Sequence, residues 1–195
     1  MTDHSSADSI PSSALNDIGL HEKITAIADL EQQQYYPVDK LQAHIDNIPH
    51  LAISIFIFDG ERLLLQRRAS TKYHSAGLWA NTVCSHPRWQ ESAEECAHRR
   101  LQEELGWQVP MTLFGSIDYS ARVGDLFENE HVHCFYGQHS SENNVADFNR
   151  IEVEDVEWMT LAQVSDEITS IPSRFTEWFR IYMTHHQQMI TDQLK

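Results

Sequence analysis

Basic residues are scarce in this 195-residue chain: fourteen lysines and arginines stand against twenty-nine aspartates and glutamates, a formal net charge of −15. Nucleic acid and anionic lipid both recruit basic patches, so this balance argues against either as a partner. Long apolar runs are missing as well. The longest, Leu51 to Phe58 interrupted by Ser54, falls far short of the ~20 residues a membrane-spanning helix requires. The opening MTDHSSADSIPSSALNDIG is polar, with neither a positive start nor an apolar signal core, so a cytoplasmic location is expected. Cysteine is sparse and odd in number. Cys84, Cys96 and Cys134 are widely spaced, which fits free thiols in a reducing compartment better than a disulfide framework.

What is present suffices for one core: 41% of the residues are hydrophobic, enough to fold without covalent staples. Residues 1–20 read as a disordered tail with no assigned role, and 21–195 as a single domain. LAISIFIF, a turn at Asp59-Gly60 and RLLLQRR form an expected β-hairpin. WANTVCSH reads as a short strand carrying Cys84 and His86 on one side. Ser92 and Glu95 form a capping box ahead of an Ala97, Leu101, Leu105 stripe, with Gly106 as the stop. Strands are expected around Thr112–Tyr119, Glu130–Gly137 and Val153–Met159, then one helix from Ser173 to about Gln193 with Phe175, Trp178, Phe179 and Tyr182 on one face. The sum is an α+β (mixed α/β) domain, a strand-rich core flanked by helices.

A few polar residues stand out before any resemblance is invoked. Glu104 lies beside the apolar stripe and four residues after Arg100, half turned toward the core, where a carboxylate needs a cation. The other charges of that helix read as a solvated face. Glu128 and Glu130, two apart, point to one side if extended. Among twelve histidines the default is the surface, and His74, His98, His139, His185 and His186 are assigned there. Cys96 and Cys134 read as small buried residues.

ESAEECAHRRLQEELGW resembles the Nudix box, with Ser85 where the box has Gly and Arg100 where it has a second Glu. GLWANTVCSHP resembles the active-cysteine segment of type 1 isopentenyl-diphosphate isomerases. Five further segments follow that family in order: KLQAHIDNIPH, RRASTKYH, DYSARVG, ENEHVHCF and SRFTEWF. The resemblance spans roughly Lys40 to Trp178 and implies a Nudix-type fold, a mixed β-sheet flanked by helices. Gln90 departs from the Gly that many relatives carry.

The family pattern implies that His44, His50, His86, Glu128 and Glu130 hold one divalent metal, Mn²⁺ or another such as Zn²⁺. It implies that Glu104 holds Mg²⁺ against the diphosphate, and that Lys40, Arg68 and Lys72 bind the phosphates. Cys84 and Glu130 would be the two acid/base groups, with Tyr119 assisting Glu130. Trp178 is read either as an aromatic lid over a cationic intermediate or as a core residue of the last helix. Trp79 and Tyr73 are placed at the pocket wall. The implied activity moves the double bond between isopentenyl and dimethylallyl diphosphate for isoprene biosynthesis, in a monomer or weak homodimer. Three other functions remain open at this point: a Nudix hydrolase of a small diphosphate, which Arg100 disfavours, a hydrolase using Cys84 and His86, and a non-catalytic metal-binding module.

Overall fold

The computed structural model describes residues 21–140 and 148–195; the expected N-terminal tail lies outside them. The architecture is α+β, with one nine-stranded mixed sheet and helices on both of its faces. Its hub is β3 (His50–Asp59), which is buried along nearly its whole length. A strand covered on both faces is expected to be almost continuously apolar, as LAISIFIF is. Alternation then divides its side chains between two cores. Ala52, Phe56 and Phe58 join one cluster, and Ile53, Ile55 and Ile57 join the other.

The expected hairpin forms: β4 (Arg62–Arg68) returns antiparallel after Gly60, whose φ of 56° suits glycine. The pairing lasts only two residue pairs before the strands diverge. β4 then pairs with β5 (Trp79–Ala80) and β9 (Val153–Thr160). β3 pairs antiparallel with β6 (Val83–Ser85) and, on its other side, parallel with β8 (Leu126–Gln138). β7 (Met111–Val123) closes against β8 and extends the expected strand at both ends.

The helix α2 (Ala93–Leu105) starts at the anticipated capping box, with Ser92 and Glu95 each accepting the other's backbone N–H, and ends at Gly106 in the left-handed conformation. Its Cys96, Ala97, Leu101 and Leu105 pack on the Ile53, Ile55, Ile57 face. The opposite face is covered by α3 (Leu161–Ser170) and α4 (Glu177–His185).

Two elements differ from expectation. The single C-terminal helix is divided into α4 and α5 (Gln187–Thr191), because His186 leaves the helical region at φ −127°, ψ 9°. Phe175 precedes the helix: it is extended, bridges Trp79, and its neighbour Thr176 donates its backbone N–H to the Trp79 carbonyl at 2.9 Å. The second difference is an N-terminal hairpin of β1 (Lys23–Asp29) and β2 (Gln34–Asp39), followed by the short α1 (Lys40–Ile45), none of it anticipated. Asp39 caps α1 by accepting from Leu41 N at 3.1 Å. Among the described residues no helix is long and apolar enough to cross a membrane.

Candidate active site

Five side chains from four places in the chain converge on one point. His44 comes from α1, His50 opens β3, His86 follows β6, and Glu128 and Glu130 lie on β8. One donor atom from each lies within 4.8 Å of all the others. The parallel β3–β8 ladder explains part of the convergence, since it sets His50 opposite Glu130. The two-residue period of β8 adds Glu128 on the same side. His44 and His50 are fully buried, and Glu128 and Glu130 nearly so.

The tautomers of two imidazoles are set from behind. His44 Nδ1 donates to the Lys40 carbonyl at 2.7 Å, and His50 Nδ1 donates to the Ile48 carbonyl at 2.7 Å. With the proton on Nδ1, each Nε2 presents a lone pair to the cluster. Both Nε2 atoms are buried and lack a hydrogen-bond partner among the described residues. A buried acceptor without a donor is costly unless a cation fills that role. The donor set of three imidazoles and two carboxylates therefore fits a divalent metal, and the cluster could hold one.

The electrostatics differ between the imidazoles: burial lowers His44, but Glu128 more than offsets it and raises that imidazole above its ordinary value. Burial, reinforced by Lys40, His50 and His44, pushes the His86 imidazole well below its ordinary value, so it is neutral, the form that ligates metals. Burial works against the Glu130 carboxylate, but its surroundings, His50 first and the Tyr119 hydroxyl among them, more than offset it and hold the carboxyl at about 2. Its Oε1 lies 2.7 Å from His86 Nε2, and its Oε2 accepts from the Tyr119 hydroxyl at 2.7 Å.

The same pocket contains Cys84, Tyr119, Trp178, Tyr73, Lys40, Arg68, Lys72 and Glu104. Cys84 reaches it from β6, and Glu130 from β8, on the other side of β3. The thiol donates to Asn81 Oδ1 at 3.0 Å and sits 3.4 Å from the Ser54 hydroxyl, which in turn meets Tyr182 at 3.1 Å. Burial pushes the Cys84 thiol up to about 12, so it is protonated at neutral pH. Glu104 is buried, as its position beside the stripe predicted, and accepts from Gln66 at 2.9 Å and from Arg100 at 2.6 Å. Trp178 is a core residue, 3% exposed, and also lines the pocket, with the Arg68 guanidinium 5.2 Å from its ring centre.

His74 is not at the surface. The chain between Arg68 and Trp79 turns inward through left-handed Ser75 (φ 49°) and Gly77 (φ 72°), and His74 Nε2 comes within 3.4 Å of Glu128 Oε1. Its ring meets Trp178 edge-on at 5.8 Å. His98 and His185 are exposed as expected, whereas His139 packs on Trp107 at 4.1 Å. Trp79 is not at the pocket wall; it is a core residue flanked by Arg67 and Arg174. Sequence reasoning missed Asn81, Tyr182 and Glu152. Ser54 carried a visible signal, as the lone polar residue in an apolar strand.

Residues 48–179 match the NUDIX domain family. A relative from Cereibacter sphaeroides (strain KD131 / KCTC 12085), named isopentenyl-diphosphate Delta-isomerase, is 45% identical over 161 residues, 82% of this chain and 90% of the relative. One of the same name from Jannaschia sp. (strain CCS1) is 44% identical over 156 residues, 79% of this chain and 88% of the relative. The chain belongs to the type 1 isopentenyl-diphosphate Delta-isomerases of the Nudix superfamily. The solved structure of DR0079 from Deinococcus radiodurans shares the fold, with a TM-score of 0.66 at 13% identity, covering 83% of this chain and 97% of that one. As an isopentenyl-diphosphate Delta-isomerase, the chain departs from the Nudix box at Arg100, which pairs with Glu103 and Glu104 where the box has a further carboxylate.

Proposed function

We propose that the chain interconverts isopentenyl and dimethylallyl diphosphate, using Cys84 and Glu130 as the two proton-handling groups. Moving this double bond requires one proton added at a terminal carbon and another removed two carbons away, through a tertiary cation. The observation that carries the proposal is that Cys84 and Glu130 line one pocket. A protonated thiol and an ionised carboxylate reach it from strands on either side of β3. Tyr119 donates to Glu130 and orients it, while Asn81 and Ser54 hold the thiol. The buried Trp178 ring excludes water and offers its face to positive charge.

The diphosphate is held at the end of the pocket lined by Lys40, Arg68 and Lys72. Arg68 is suited to a two-pronged grip and the lysines to point-charge contacts. His44, His50, His86, Glu128 and Glu130 would hold Mn²⁺ or another divalent metal such as Zn²⁺, which when bound would supply fixed positive charge beside Glu130. Glu104, now paired with Arg100 and Gln66, would hold Mg²⁺ when the diphosphate is bound. In contrast to a Nudix hydrolase, the chain places Arg100 where a further box carboxylate would bind metal and water.

Proton NMR with isopentenyl diphosphate, Mg²⁺ and Mn²⁺ in D₂O tests the proposal. Dimethylallyl diphosphate with incorporated deuterium is expected from the wild type and not from Cys84→Ala. Phosphate release from nucleoside diphosphates without isomerisation would overturn it in favour of a hydrolase.

A further inference from the structure

One buried acid in the pocket has no part in the chemistry above. Glu152 is 4% exposed; its Oε2 accepts from Lys72 Nζ at 2.7 Å, and its Oε1 lies 3.3 Å from Arg100 Nη2. Its backbone is tied to both segments that carry these cations. The Glu152 carbonyl accepts from Ala69 N at 3.0 Å, its N–H donates to the Asn149 carbonyl at 3.0 Å, and Asn149 N donates to the Glu104 carbonyl at 2.9 Å. The carboxylate is thus fixed between α2 and the chain leaving β4. It does not hang from a free surface loop.

We propose, on the strength of the diphosphate assignment above, that Glu152 is the resident counter-anion of the pocket's cationic end and sets how tightly a diphosphate is held there. The Lys72 and Arg100 side chains are only 9% and 13% exposed, so both charges are largely desolvated and need compensation when no ligand is bound. Glu152 supplies it for Lys72 at 2.7 Å and adds to what Glu104 and Glu103 give Arg100 at 2.6 and 2.7 Å. An arriving diphosphate meets cations already partly neutralised and a like charge beside them, and is bound less tightly than the bare cations would bind it. Substrate and product carry the same diphosphate, so a tighter grip would hold both equally and slow product departure without aiding the chemistry.

Glu152→Gln keeps the size of the side chain and removes its charge. Titration calorimetry of the full chain with inorganic pyrophosphate in Mg²⁺ is expected to show binding about tenfold tighter than wild type. The ligand-free variant should melt lower, pyrophosphate should raise its melting midpoint more than in wild type, and kcat and KM should fall together. A merely structural role cannot tighten binding. Should Glu152→Gln not fold, Lys72→Met is compared with Lys72→Met/Glu152→Gln, which removes the pair whole; the double variant must bind pyrophosphate more tightly than the single. Unchanged or weaker binding in either comparison overturns the inference. Wild-type protein from the same preparation is assayed for conversion of isopentenyl diphosphate. If it fails to convert, the functional proposal falls; if it converts and the Glu152 comparisons fail, only this inference falls.

Discussion

At one end of the pocket two buried imidazole nitrogens, His44 Nε2 and His50 Nε2, have no hydrogen-bond partner among the described residues. At the other end, Glu104 and Glu152 each already meet a cation supplied by the chain itself. Both ends are buried and both contain two carboxylates, yet only the first has donor atoms waiting for an outside ion. The second is balanced from within and has to be opened by its ligand. Unpartnered buried acceptors mark a site that takes a metal as it stands, whereas Glu104 would take one only by sharing its carboxylate with Arg100 and Gln66.

The contrast can be broken from either side. The largest effect is expected at the chemistry between the two ends: Cys84→Ala should lower kcat by about 10²–10⁴-fold while Mn²⁺ binding, followed by electron paramagnetic resonance, is retained. His50→Ala should lower activity by more than about 100-fold, a greater loss than changes behind a ligand produce, and should remove tight Mn²⁺ binding as well. Arg68→Met acts on the other end, and kcat/KM is expected to fall by about 10–100-fold, the scale of a charge-assisted hydrogen bond, with metal content unchanged in elemental analysis.

Acid should act on both ends of the metal-free protein. Glu130 and Glu152 titrate at about 2 in the fold against an ordinary 4.5. A depressed carboxyl stabilises the fold fully above its unfolded value and loses that contribution as pH falls toward its folded one. Melting midpoints should therefore decline from about pH 4.5 toward pH 2, and Glu152→Gln should flatten part of that slope. The smallest effect lies outside the pocket. Gln90 adopts φ 70°, so Gln90→Gly should leave activity unchanged and raise stability by up to ~1 kcal/mol in denaturant unfolding.

Much of the His/Glu end is legible in the chain because its residues sit in short, recognisable segments whose local period aims them, as Glu128 and Glu130 on β8 show. The Ser92 cap and the Gly106 stop are equally local and delimit α2 from sequence. What is not legible depends on distant partners. Glu152 lies 80 residues from Lys72, and nothing around it in sequence announces the pairing. His74 turns inward only because Ser75 takes a left-handed conformation that its identity does not demand. Phe175 is lost to the last helix by its bridge to Trp79, a tertiary contact that overrides a local apolar period. The β1–β2 hairpin is held in part through Arg88 and Glu22, which meet at 2.6 Å from 66 residues apart.

The central claim is that the five-residue cluster is a divalent-metal site on which the double-bond shift depends. Metal-stripped protein titrated with Mn²⁺, read by electron paramagnetic resonance and by proton NMR of isopentenyl diphosphate in parallel, tests it most directly. One tight site per chain whose filling tracks the appearance of dimethylallyl diphosphate, with both lost in Glu128→Gln and His50→Ala, is the predicted result. Full isomerase activity in the stripped protein, or tight Mn²⁺ binding that survives both substitutions, would contradict it.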